Sequence, residues 1–152
     1  MIKRILFTND RSIELLVARV ALGLVILPHG IQKVFGLFGG MGFSGTINAF
    51  DQYFGIPTIL TILVILAEFV GALGLILGVF TRLMGLSVLL TMLGAMIMGG
   101  AVQNGFFMNW HGNQAGEGME FFFLTFGLAL VSIIGGSGKF SLDTLLVTKL
   151  KV

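Results

Sequence analysis

The stretch IPTILTILVILAEFVGALGLILGVF, from Ile56 to Phe80, contains a single charged residue, Glu68. A helix of about 20 apolar residues matches a bilayer hydrocarbon core of about 30 Å. In lipid the backbone polar groups must pair within the segment, and a helix does this by itself. Strands of a membrane barrel are shorter and alternate between apolar and polar residues, and this stretch does neither. It therefore predicts a transmembrane helix.

The composition of the whole chain favours the same class. The chain has 152 residues, of which 56% are hydrophobic and 11% are charged, whereas soluble domains carry about a quarter charged residues. A chain this short has too little interior to hide so much apolar surface from water. Its length indicates a single domain over residues 1–152.

Composition also excludes several functions. Cysteine is absent, which excludes disulfides, thiol catalysis and cysteine-ligated zinc or iron–sulfur sites. A net charge of +2 is too modest to indicate nucleic acid as a partner. In the N-terminal run MIKRILFTNDRS, charges follow a short apolar stretch at once, so we do not expect a cleaved signal peptide.

Four apolar segments predict an all-α fold, a polytopic bundle of four transmembrane helices. Their predicted ranges are 13–38, 56–80, 83–102 and 119–136. The intervening segments 39–55 and 103–118 are predicted to be loops rich in glycine and aromatic residues. The tail at 141–150 places leucines on one helical face, which predicts a short amphipathic helix capped by Ser141.

Basic residues are distributed unequally about these helices. Seven of them fall before the first helix, between the second and third, and after the fourth, and the other two loops contain none. The positive-inside rule then places both termini in the cytoplasm. Tyr53, Trp110 and the phenylalanines of the opposite loops indicate an aromatic belt at the outer interface. The seven basic residues are Lys3, Arg4, Arg11, Arg82, Lys139, Lys149 and Lys151.

Two charged residues fall deep in the predicted helices. Arg19 lies in the inner half of the first helix, and Glu68 lies near the middle of the second. An ionised residue at mid-membrane costs at least about 2.5–3.5 kcal/mol, so it is usually paired or functional. We predict that Arg19 and Glu68 form a structural ion pair. One face of the first helix, which we expect to pack against protein, carries Arg19, Gly23, Ile26, Gly30 and Lys33.

A second polar group collects near the outer end of the helices. We predict an outward-facing polar pocket for a small amphiphile, lined by His29, Gln32, Lys33, Glu120 and Trp110. Histidine exchanges protons near neutral pH, and Pro28 loosens the backbone beside His29. Lys33 and Glu120 have opposite charges and are expected to neutralise each other in the empty pocket.

The same residues have structural roles as alternatives to ligand binding. Lys33 can reach the outer headgroups as a snorkelling side chain, and His29 can be a hydrogen-bonded interior histidine. Glu117 and Glu120 can cap the fourth helix, because carboxylates suit the N-terminal end of a helix dipole.

Several stretches, in order along the chain, resemble the DoxX family of small bacterial and archaeal membrane proteins. They are RVALGLVILPHGIQKVFG, EFVGALGLILGVFTRLMGL, NWHGNQAGEGMEFFFLTFGLALV and GGSGKFSLD. The resemblance implies a four-helix protein of the bacterial or archaeal plasma (inner) membrane. It also implies importance for the motif residues, which are Arg19, His29, Gly30, Lys33, Glu68, Arg82, Glu120, Ser141 and Asp143.

The resemblance further implies a link to quinones, because family members are named for subunits of terminal quinol oxidation and thiosulfate:quinone oxidoreduction. A role as an oxidoreductase subunit rests on this resemblance alone. The candidate cofactor is a quinone held without a covalent bond, and no metal site is expected. Candidate partners are membrane lipid and either other redox-complex subunits or a second copy of the chain. Two alternatives stay open: a small proton-coupled transporter that uses Glu68, and a non-catalytic scaffold or assembly subunit.

Overall fold

A computed structural model describes residues 9–149, and all regular structure in this range is helical. The all-α prediction is therefore confirmed for the described residues. Lys3, Arg4, Leu150 and Lys151, on which parts of the predicted orientation and tail helix rest, lie outside them. The helices are α1 (Ile13–Phe35), α2 (Gly42–Phe54), α3 (Thr58–Leu77), α4 (Thr81–Met98), α5 (Ala101–Asn104), α6 (Glu120–Gly135) and α7 (Leu142–Lys149).

Three of these helices, α1, α3 and α4, have the length and apolar composition needed to cross a membrane. Helix α6 is also apolar but has only 16 residues, which is about 24 Å at 1.5 Å per residue. The described part of the chain thus contains three candidate spans and one shorter apolar helix.

Glycines end the long helices earlier than the sequence predicts. Helix α1 stops at Phe35 and not at residue 38, because Gly36 has a φ of 72° and donates its N–H to the Gln32 carbonyl at 3.1 Å. Helix α3 begins after Pro57 and stops before Gly78, which has a φ of 67°. A left-handed residue cannot continue a right-handed helix, and glycine adopts that conformation at the lowest cost. The predicted ranges 13–38 and 56–80 were therefore too long.

The later helices agree more closely with prediction. The range 83–102 is observed as α4, which begins at Thr81, and the separate turn α5, because the chain breaks at Gly99 and Gly100. The ranges 119–136 and 141–150 correspond to α6 and α7. Ser141 caps α7 as predicted, since its hydroxyl accepts the Thr144 N–H at 3.2 Å.

Residues 39–55 were predicted to be a loop, and this prediction was wrong. The segment GFSGTINAFDQYF forms the 13-residue helix α2. Its two glycines and its β-branched residues give it a low intrinsic helix propensity, so local sequence argues against a helix. Helix α2 packs against α1 and α3, and this tertiary packing supplies the stabilisation that propensity does not.

Helices α1, α3, α4 and α6 share one apolar core. Helix α1 packs on α3 and α6, and α4 packs on the same two helices. Many large apolar side chains on the outward faces remain exposed, which marks a surface that meets lipid or protein rather than water. The buried side chains of the core are Leu22, Ile26, Ala72, Leu75, Val88, Met92 and Ala129.

The face of α1 that was predicted to pack against protein does so. Arg19, Gly23, Ile26 and Gly30 are all buried. A Cβ atom at Gly30 would lie 2.7 Å from the carbonyl of Glu68, and one at Gly23 would lie 2.8 Å from the carbonyl of Ala72. Only glycine at these positions lets the α1 and α3 backbones approach so closely.

The antiparallel helices define two ends of the molecule. We call one the terminal end, where Ser12, the α3–α4 turn and residues 136–149 meet. There the Lys139 N–H donates to the Ser12 carbonyl at 3.0 Å, and the Asp143 N–H donates to the Gly78 carbonyl at 2.8 Å. We call the other the loop end, which carries α2, α5 and residues 105–119.

Candidate functional site

A partly buried ion pair joins α1 to α3 inside the candidate spans. Lys33 Nζ lies 2.5 Å from Glu68 Oε2, and the two side chains are 20% and 4% exposed. Side chains of a helix lean toward its N-terminus. Because α1 and α3 are antiparallel, Lys33 leans into the core from the loop end, and Glu68 leans back toward it.

The predicted ion pair between Arg19 and Glu68 was wrong. Arg19 instead donates to the carbonyls of Leu75 and Ile76 at 2.8 and 2.5 Å. These carbonyls lie about 11 Å farther along α3 than Glu68, at 1.5 Å per residue. Arg19 also leans toward the terminal end, away from Glu68. The sequence places Arg19 in the inner half of its helix and Glu68 near the middle of its own, and the observed offset along α3 prevents contact.

Arg19 is completely buried and uses every donor of its guanidinium. Besides the two carbonyls of α3, it donates to three carbonyls of the α6–α7 connection, those of Ser137, Lys139 and Phe140, at 2.6, 3.1 and 2.9 Å. A guanidinium has five N–H groups, so no donor is left without a partner. Leu75 and Ile76 belong to the last turn of α3, whose carbonyls have no partner within the helix. Arg19 therefore caps the end of α3 and ties it to the C-terminal segment.

Two further charged residues cap helices at the terminal end of the molecule. Arg82 Nη1 donates to the carbonyls of Ile133 and Ile134 in the last turn of α6, at 2.5 and 2.7 Å. The Asp143 carboxylate accepts the N–H groups of Phe80 and Thr81 at the start of α4, at 2.7 and 3.0 Å. Cations at helix C-termini and anions at N-termini also suit the helix dipole.

His29 and Gln32 lie near the loop end of α1 and make separate contacts. His29 is exposed, and its ring centroid is 6.4 Å from that of Phe121 on α6. Gln32 Nε2 donates to the Phe38 carbonyl at 3.0 Å, which ties the α1–α2 connection to α1. His29 thus lies on the outer surface where α1 meets α6.

Glu120 does not neutralise Lys33, so that prediction was wrong as well. Glu120 Oε2 accepts the N–H of Met108 at 3.2 Å, and Glu117 Oε2 accepts the N–H of Asn109 at 2.7 Å. The two carboxylates hold the loop between α5 and α6, and their bonds go to loop amides rather than to the first turn of α6. Trp110 projects from this loop and is 78% exposed.

A cavity of about 450 Å³ lies at the terminal end, between the end of α3 and α7. Its lining includes Ile76, Leu77, Phe140, Ser141 and Leu145. None of the predicted ligand-binding residues borders it. Within residues 9–149, no cluster of three or more histidine or carboxylate side chains is placed to hold a metal ion.

Over residues 9–149 these features define a helical membrane protein with one ion pair inside its candidate spans and a network of helix-capping charges at one end. The DoxX family model matches residues 14–101, which is more than half of the chain, and the chain belongs to this family. The resemblance seen in the sequence is thereby confirmed. The matched region contains Arg19, Lys33, Glu68 and Arg82.

Two relatives extend the comparison. A protein of Bacillus subtilis (strain 168) named "Putative oxidoreductase CatD" is 30% identical over 90 residues, which cover 58% of this chain and 62% of that protein. The match therefore spans less than two thirds of the Bacillus protein. "Inner membrane protein YphA" of Escherichia coli (strain K12) is 26% identical over 140 residues, which cover 90% of this chain and 93% of that protein. No solved structure matches the chain significantly.

Proposed function

We propose that this DoxX protein crosses the plasma membrane four times, through α1, α3, α4 and α6, with both termini in the cytoplasm. Support comes from the antiparallel packing of the four helices and from the seven basic residues that flank one side of the predicted spans. Local thinning of the bilayer accommodates a short span such as α6 at modest cost.

Labelling in intact cells tests this topology, because the chain has no cysteine of its own. Arg11 and Asn113 are both exposed, at opposite ends of the molecule. An impermeant maleimide should modify a cysteine placed at Asn113 and spare one placed at Arg11 until the cells are opened. The reverse pattern contradicts the orientation, and equal labelling contradicts an odd number of crossings between them.

We further propose a redox-associated subunit that binds a quinone-type amphiphile at the loop end, beside His29 and Lys33. The observation that carries this proposal is the Lys33–Glu68 ion pair within the candidate spans, one helical turn from the exposed His29. Ionisable groups inside a membrane are costly and commonly mark functional sites. The name of the Bacillus relative, "Putative oxidoreductase CatD", supports a redox role.

Each residue has a distinct part in the proposed site. An ammonium has three donors, and the Glu68 carboxylate uses one of those on Lys33, so the others are available to a quinone carbonyl. His29 is exposed where α1 meets Phe121 of α6, so a ligand dissolved in the bilayer can approach it sideways. Protons exchange at His29, and electrons pass to or from a partner redox subunit or a second substrate.

Binding of a quinone analogue to purified protein tests the proposal. His29→Ala should weaken binding about tenfold, which corresponds to about 1.4 kcal/mol. Leu24→Ala is the matched control, because Leu24 is also exposed on α1 but more than a turn away. Lys33→Met combined with Glu68→Leu removes the ion pair without stranding a charge and should weaken binding further. A wild-type protein that binds no analogue above its partitioning into lipid contradicts the ligand assignment.

A non-catalytic scaffold or assembly subunit is the second candidate. Three of the motif residues cap helix ends, and this structural role favours the scaffold. They are Arg19, Arg82 and Asp143. A proton-coupled transporter has less support, since the Glu68 carboxylate already forms an ion pair with Lys33. Co-purification of a redox subunit that survives His29→Ala would favour the scaffold.

A further inference from the structure

Helix α2 differs from its neighbours α1 and α3 in its length and in how it is connected. Its 13 residues span about 20 Å, which is too short to cross a hydrocarbon core of about 30 Å. Residues 36–41 join it to the end of α1, and residues 55–57 join it to the start of α3. Both of its ends are therefore held at the loop end, where two candidate spans terminate.

The helix has three distinct sides. Thr46 is 4% exposed and faces the packed helices. Nearly opposite, a polar stripe consists of the exposed residues Ser44, Asn48, Asp51 and Gln52. Between these two sides runs an apolar flank, since residues spaced by four, three and four share a helical face. The flank consists of Phe43, Ile47, Phe50 and Phe54.

At both ends of the apolar flank, side chains are left exposed by the other described residues. Phe43 and Phe54 are 44% and 42% exposed. Phe54 also meets Phe50 edge to face, with ring centroids 5.7 Å apart, so these two rings form one aromatic surface at the C-terminal end of the flank. Ile59 and Leu60 at the start of α3 are exposed as well.

We propose that α2 lies in the membrane–water interface, with its apolar flank in the headgroup boundary and its polar stripe in water. A helix with this division of sides is stable in that position, and aromatic residues favour the same depth. Helix α2 has no Lys or Arg and one acidic residue, Asp51. Its partner is therefore the surface of neutral phospholipid, and anionic headgroups add no attraction.

This position has a consequence for the buried ion pair. Gly40, just before α2, packs on the backbone of Gln32, where a Cβ atom would lie 2.6 Å from the Gln32 Cα. Gln32 Nε2 also holds the Phe38 carbonyl. The connection is thus fixed to the last turns of α1, so the depth of α2 in the interface sets the depth of Lys33.

Site-directed spin labelling of the full chain in phosphatidylcholine vesicles tests the proposal. Single cysteines replace Phe43 or Phe54 on the apolar flank, and Ser44 or Asn48 on the polar stripe as matched controls. Labels at Phe43 and Phe54 should be accessible to oxygen, which partitions into lipid, and lie about 5–10 Å below the headgroup boundary. Labels at the control positions should be accessible to a water-soluble nickel chelate, and adding phosphatidylglycerol should change neither result.

Three outcomes overturn the proposal. Nickel accessibility at Phe43 and Phe54 equal to that of the controls means that the flank lies in water. Low accessibility to both reagents means that protein covers the flank, such as a second copy of the chain. Oxygen accessibility at all four positions means that α2 is immersed. If labelling disturbs the fold, Phe54→Trp in a Trp110→Phe background gives a second measurement. Brominated phosphatidylcholine should quench the fluorescence of the tryptophan at position 54, and unquenched emission contradicts the proposal.

Discussion

Replacing Arg19 by methionine removes the guanidinium while keeping a long side chain in the core. The change leaves five carbonyls without their donor, and the bonds to Leu75 and Ser137 are the fully buried ones. The Leu75 carbonyl still accepts the Gly78 N–H at 3.3 Å, so the full cost of an unsatisfied buried acceptor, about 1–3 kcal/mol, applies to the Ser137 carbonyl, and each of the other lost bonds costs about 0.5–1.5 kcal/mol. Relief of the desolvation penalty of a buried charge offsets part of this. We expect the free energy of unfolding to fall by about 2–4 kcal/mol.

Two variants separate the role of the hydrogen bonds from that of the charge. Arg19→Lys keeps the charge but has three donors in place of five, so it should lose stability, though less than Arg19→Met. Adding Glu68→Gln to Arg19→Met should recover nothing, because Glu68 pairs with Lys33. The assay is unfolding of purified protein in mixed micelles by titration with dodecyl sulfate, followed by circular dichroism.

Either of two results would refute this reasoning. An Arg19→Lys protein as stable as the wild type would mean that charge alone matters at this position. Recovery of stability in the Arg19→Met, Glu68→Gln double variant would mean that Arg19 and Glu68 compensate each other after all.

Three other changes have expected outcomes in the same unfolding assay. Lys33→Met leaves Glu68 buried without a partner and should lower the free energy of unfolding by about 3–5 kcal/mol. Adding Glu68→Leu should recover most of this loss, and fully additive losses would contradict the pair. Gly30→Ala forces apart backbones that approach within 2.7 Å of the new atom and should cost about 1–3 kcal/mol, while Gly127→Ala, which faces open space, should cost little; equal losses would argue against the close approach. Asp143→Ala removes the acceptor of two amides at the start of α4 and should cost about 0.5–2 kcal/mol, with faster hydrogen exchange at those amides, and unchanged exchange would show that the carboxylate does not protect them.

The sequence by itself determined the class of the protein and the position of its apolar helices. A run such as Ile56–Phe80 forms a helix in lipid, because its backbone groups must pair within the segment. It also determined which face of α1 is buried, since the spacing of Gly23 and Gly30 within one helix is readable without any neighbour. The errors at these helices were confined to their ends, where Gly36 and Gly78 terminate them early.

Only the tertiary structure decided which charges meet and whether residues 42–54 are helical. Pairing depends on the register between two helices, and that register is set by the close approach of Gly30 to the backbone at Glu68. Together with the lean of helical side chains toward their own N-termini, it brings Lys33 to Glu68 and takes Arg19 to the end of α3. Helix α2 likewise depends on contacts with α1 and α3, because its own residues have too little helix propensity to form it alone.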